Sequence, residues 1–173
     1  MNRGLLRKAA GELWATTLVM GAFLAFAEAT LTYILTSRQA EFSARIADVP
    51  FLQSFIKGRL GVETADAIGP GALAAVAWVH PVILTLCWAH AIIISSRVPA
   101  GEIDRGTVDV LLALPVSRRD VFLSETLACV VAGAAMMAAA AGGHLVGASF
   151  LRPDLRMPLG RGSIILVNLF VLY

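Results

Sequence analysis

The chain has 173 residues, of which 58 % are hydrophobic and 15 % charged, against about 45–50 % and about 25 % in soluble domains. With a mean hydropathy of +0.77, that balance excludes an ordinary soluble domain and marks a membrane protein of one domain's length. The formal charge is +2 with no basic run, so nothing points to a nucleic-acid partner.

Residues 13–36, LWATTLVMGAFLAFAEATLTYILT, exceed the about 20 apolar residues that cross a bilayer. Arg3, Arg7 and Lys8 precede them. The same order fits a signal peptide, with Ala25-Phe26-Ala27 as a small-residue site before Glu28. The apolar run beyond that site favours a span. Within the mixed stretch 37–70, Asp48 and Pro50 form a helix start. Phe51, Leu52, Phe55 and Ile56 then share one face, which fits either the membrane surface or packing on other protein.

Residues 71–96 form a second span that Pro81 is expected to kink. Ser117, with Asp120 three residues on, reads as the cap of a helix that continues into a third span over about 121–150. Small residues recur there at every fourth position, Ala135, Ala139, Gly143 and Gly147, a ridge that lets another helix approach closely. After a loop with two prolines, residues 163–173 begin a fourth segment of 11 residues, about 16 Å of helix against a hydrocarbon core of about 30 Å. The expectation is an all-α polytopic bundle in one transmembrane domain, 1–173, with three spans and the start of a fourth. The short last segment predicts a chain that is part of a longer reading frame. Cys87 and Cys129 lie in apolar segments and read as buried thiols rather than a disulfide framework.

The positive-inside rule gives a tie. With the N-terminus inside, seven cations fall on the cytoplasmic side (Arg3, Arg7, Lys8, Arg97, Arg105, Arg118, Arg119) and seven outside. The first cluster usually dominates, which places the N-terminus in the cytoplasm.

Between the second and third spans lies GEIDRGTVDVLLALPVSRRD, residues 101–120. Charges bracket a small apolar run, Val110 to Leu114. A helix beginning near Thr107, with Gly106 before it and Pro115 ending it, turns Val108, Val110, Leu111, Leu112 and Leu114 over more than half its circumference, while Asp109 and Ala113 fill the rest. So wide an apolar arc is normally buried, yet the helix is too short to span. It must be covered by the membrane surface, the bundle or another protein. The expected shape is a helix–turn–helix elbow able to pass a push into the third span.

The run E-x-D-x-G-T-x-D-x-L-L-A-L-P-V-S-R-R, Glu102 to Arg119, resembles the signature of ABC-2-type transporter permeases, the membrane subunits of ATP-driven exporters. The resemblance extends over most of residues 5–150. It implies that the elbow is a cytoplasmic coupling helix docking on a separate nucleotide-binding subunit. Carried over, it gives Glu102, Asp104 and Arg105 polar contacts to the ATPase or within the elbow. Gly106 and Thr107 set and cap the helix, with Asp109 on it. Leu111, Leu112 and Leu114 dock, Pro115 ends the helix, and Ser117 and Arg118 begin the helix that carries motion onward. Implied partners are an ABC ATPase, a second permease chain and the lipid bilayer of the cell membrane. Members typically carry more spans than this chain, which agrees with a truncated N-terminal portion.

No G-x-x-x-x-G-K-[ST], G-x-S-x-G or H-E-x-x-H occurs, so no phosphate cradle or familiar hydrolytic motif is present. ATP is expected on the partner subunit, with no cofactor, metal or catalytic residue on this chain. Ionisable groups at bilayer depth are functional candidates by default. Glu28 and His80 are therefore candidates for a substrate path, with helix–helix bonding for Glu28 and a kink-filling role for His80 as the plainer alternatives. His80, Cys87 and His144 are too loosely spaced to predict a metal site. The readings from other classes are an intramembrane enzyme and a non-transporting anchor or assembly protein.

Overall fold

The computed structural model describes residues 3–41, 44, 48, 50, 54, 70–113, 115, 117–157 and 159–173. The helix expected from Asp48 through Ile56 lies outside the continuously described residues.

All the regular structure described is helical: α1 (Arg3–Ser37), α2 (Pro70–Trp78), α3 (Pro81–Ser95), α4 (Glu102–Asp104), α5 (Val108–Ala113), α6 (Arg118–Ser149) and α7 (Leu159–Leu172). Three stretches are long and apolar enough to cross a membrane: α1, Leu73–Ser95 and α6. α1 has 35 residues, about 50 Å at 1.5 Å each, so it reaches beyond a hydrocarbon core about 30 Å thick. Ala25 to Glu28 sit in the middle of this unbroken helix.

Pro81 does more than kink the second span. It divides it into α2 and α3. Proline carries no N–H and disfavours helical geometry in the residue before it, and His80 is extended at φ −61°, ψ 139°. His80 Nδ1 then accepts from the Val82 N–H at 3.3 Å, so the residue serves as the N-cap of α3. At the start of α6, Ser117 Oγ accepts from the Asp120 N–H at 3.0 Å and donates to the Asp120 carboxylate at 2.8 Å. That cap opens the helix three residues before the expected span. The fourth apolar helix likewise starts earlier than expected, at Leu159.

The bundle is built on the contact between α1 and α6. In lipid there is no solvent to drive helices together, so close backbone approach by small residues holds them. A Cβ on Gly21 would meet Ala139, one on Gly143 would meet Ala25, and one on Gly147 would meet Ala29. The pairs advance together, so α1 and α6 run parallel. The predicted ridge of α6 thus meets a matching ridge of α1, Gly21, Ala25 and Ala29. Ala135 stands apart from these pairs. It is exposed and lines an apolar groove of about 480 Å³ with Leu13, Trp14 and Leu18.

α3 runs back alongside. Ile94 packs with Leu13 and Ala132, and Leu24, Trp78, Ile83, Cys87, Met136, Ala140 and Leu169 form the main core. Cys87 is buried and Cys129 half-buried, both as free thiols. Phe23, Phe26, Val131, Leu145 and Val171 face outward, as suits surfaces that meet acyl chains.

Candidate functional site

Two polar places stand out in this apolar bundle, one at each end of α6. The first lies under the elbow. α3 ends at Ser95, and the following turn, Arg97–Gly101, is interrupted at Val98, whose φ −129° and ψ 124° are extended. This break leads Arg97 into the bundle, where its side chain is only 8 % exposed. Its guanidinium reaches Glu12 on α1 and Glu125 on α6 at once. A planar fork with five donors suits such bridging. All three spans are thereby joined at one end.

Nine residues after Arg97, the chain turns again. Gly106 adopts φ +68°, a conformation that side-chain-bearing residues rarely adopt. That turn brings Thr107 back onto Glu102, with the Thr107 N–H donating to the Glu102 carbonyl at 2.9 Å. The Thr107 hydroxyl donates to the Glu102 carboxylate at 2.5 Å. Lys8, from α1, donates to the other carboxylate oxygen at 2.8 Å, and Arg105 stands 3.9 Å from it. Lys8 also lies 3.8 Å from Glu12. The Lys8 bond first, and the Thr107 bond second, hold the Glu102 carboxyl below its ordinary range.

The result is a chain of alternating charges: Arg105, Glu102, Lys8, Glu12, Arg97, Glu125. It runs from the elbow through α1 to α6. Glu102 is turned into the bundle, with its side chain 3 % exposed. Asp104, Arg105, Asp109, Val110, Ala113, Pro115, Ser117 and Arg118 are exposed. Leu111 and Leu112 lie on α5, which begins at Val108, one residue later than expected. Leu114 lies outside the described residues. Arg97, Glu12 and Glu125 carry most of this network, and the sequence reading did not single them out. The available signal was charge at the margin of an apolar run, which lipid makes costly unless paired.

The second place is at the far end of α6. Glu28 is fully buried and Thr32 nearly so. The Thr32 hydroxyl lies 3.3 Å from Glu28 Oε1 and 3.0 Å from His144 Nδ1, and His144 Nδ1 is 3.5 Å from Glu28 Oε1. The Trp78 ring lies against His144, centroids 5.0 Å apart. Glu28 is thus brought to Thr32 and His144. It shares no hydrogen bond with His80 among the described residues. His90 is separately tied to Thr17 at 3.1 Å and to the Tyr173 hydroxyl at 2.6 Å. Among the described residues no three His, Cys, Asp or Glu groups converge as metal ligands would.

No curated protein and no solved structure matches the chain. The family model described as ABC-2 family transporter protein matches residues 7–173, which takes in the three long apolar helices, the elbow and α7. The chain belongs to the ABC-2 transporter family and is a multi-pass membrane permease of an ABC transporter.

Proposed function

We propose that the chain serves an ATP-driven exporter in the cell membrane, and that α5 is the handle by which a separate ATPase subunit moves it. The observation that carries this reading is the alternating-charge chain under the elbow. A displacement of the segment 102–107 reaches α1 through Glu102 and Lys8. The Arg97 bridge, from the turn just before that segment, meets α1 and α6 together. Coupling needs an element with two arrangements that a partner can bias, and the ion pairs at the root of an exposed lever are the contacts on which such a bias would act.

In this reading Leu111, Leu112 and Leu114 dock on the ATPase, with Asp104, Arg105 and Asp109 at the rim of the contact. Exposed Val110 and Ile103 add apolar surface that a partner would cover. Gly106 and Thr107 hold the turn, Pro115 ends α5, and Ser117 and Arg118 hand the motion to α6. The N-terminus and elbow face the cytoplasm, where ATP is. A second permease chain, identical or different, completes the pathway along the outward apolar faces. Glu28, buried and held by Thr32 and His144, stands behind that pathway as a polar point within the bundle, whereas His80 is committed to capping α3.

The test is Leu112→Asp in the full-length protein. It is expected to abolish co-purification with the ATPase while membrane insertion continues, and Leu112→Met is expected to retain both. Undiminished co-purification of the Asp variant would exclude α5 as the docking element.

A further inference from the structure

We propose that the bundle holds a binding site for a single-chain anionic amphiphile at the end opposite the elbow. A cavity of about 530 Å³ opens there between Trp78, the last turns of α6, the following loop and α7. Ligand sites commonly measure about 300–1,000 Å³. Leu145, Met157 and Leu166 give it apolar walls, suited to an acyl or similar chain.

Three residues with polar groups line it. Arg156 lines the cavity, and its guanidinium donates to the carbonyls of Ser149 and Leu151. Those carbonyls hold the guanidinium in place without neutralising it, and among the described residues no carboxylate pairs with it. Trp78 also lines the cavity. It is 1 % exposed, and its indole N–H has no partner among the described residues, a costly state for a buried donor. His144 is the third, and Thr32 and Glu28 hold it by Nδ1. The Glu28 carboxylate is behind His144 and is not part of the lining.

Along the chain, residues 151–162 carry Arg152 and Arg161 beside Arg156, against a single acid, Asp154. The local charge is therefore positive in a region otherwise made of oil. The guanidinium is oriented by carbonyls but keeps its positive charge, and the indole N–H has no acceptor among the described residues, beside apolar walls. An acidic head on one apolar tail satisfies all of them, and such a molecule reaches the cavity from the bilayer. Arg156 is the residue that selects charge, because an Arg–carboxylate bond is about twice as strong as a neutral one.

Binding is tested on the full-length protein in nanodiscs of neutral lipid without the ATPase, so the result is independent of the elbow's role. With Trp14 and Trp88 replaced by Phe, dibromostearate is expected to quench Trp78 fluorescence saturably, and the matching dibrominated alcohol about tenfold more weakly. Arg156→Gln is expected to remove that preference for the acid. Arg156→Lys, which keeps the charge, is expected to keep it and guards against a merely structural effect. Ala141→Phe, which fills the cavity from its wall, is expected to abolish saturation. Linear, unsaturable quenching that is equal for acid and alcohol, or an unchanged preference in Arg156→Gln, would overturn the proposal.

Discussion

Gly143 of α6 lies so close to Ala25 of α1 that a Cβ placed on it would stand 2.2 Å from the Ala25 carbonyl oxygen. That atom is backbone and cannot swing aside. Gly143→Ala must therefore separate the two helices, at a cost typical of overpacking, about 1–3 kcal/mol. A lowered melting temperature in detergent is expected. The neighbouring Gly142 has nothing within 4 Å of its own missing Cβ, so Gly142→Ala is expected to melt at or slightly above the wild-type temperature. Equal melting of the two variants would contradict the contact.

Arg97 bridges two carboxylates, Glu12 and Glu125. Arg97→Gln leaves Glu125 without its cation and Glu12 with Lys8 at 3.8 Å, their side chains 22 % and 29 % exposed. Breaking a buried ion pair costs about 3–5 kcal/mol, and this partly exposed pair is expected near the low end. Adding Glu12→Gln and Glu125→Gln to Arg97→Gln is expected to recover most of the loss, read by thermal melting of wild type, the single variant and the triple variant. Failure of the triple variant to recover would mean that Arg97 acts by packing alone.

Acid is expected to release the elbow. The Glu102 carboxyl is held below its ordinary value of 4.5. The stabilisation it gives is therefore complete above that pH and is lost as pH falls through the lower folded value. A spin label at the exposed position 104, introduced as Asp104→Cys, is expected to gain mobility below pH 4.5. In a Glu102→Gln background its mobility is expected to be already raised and insensitive to pH over that range. A label that tightens in acid would reverse the sign and reject the tie to Lys8.

Gly106 has open space around it: a methyl group added to its Cα would meet nothing within 4 Å, and its φ is +68°. The effect of Gly106→Ala is thus backbone strain alone, about 1–2 kcal/mol. Gly106→Asn, a residue that tolerates this conformation, is expected to cost less. The readout is ATPase-coupled transport in vesicles, in the order wild type, Asn, Ala. An Ala variant as active as wild type would show that the turn is not needed in this form.

Much of the architecture could be read from local pattern. The three long helices follow from apolar length, the start of α6 from Ser117 and Asp120, and its packing face from Ala139, Gly143 and Gly147, with Ala135 lying off it. Pairing was harder to read. The ridge Gly21, Ala25 and Ala29 is as regular as that of α6, but such spacing gains meaning only once a facing helix is known. Glu12, Arg97 and Glu125 are far apart in the chain, and only the parallel register of α1 and α6 brings them to one point. Glu28 was noticed because a carboxylate in oil is conspicuous. Its partners, Thr32 one turn along α1 and His144 on α6, depend on the same register.

The divided second span has a mechanical meaning. α1 and α6 are locked flank to flank by glycine contacts, whereas the helical ladder between α2 and α3 is interrupted at Val79 and His80, with an imidazole nitrogen standing in for the missing helical bond. Stiffness is thus unevenly distributed. Two staves are clamped together, and the third is jointed midway, so bending concentrates at that joint and lets the two membrane leaflets experience different movements from one stroke.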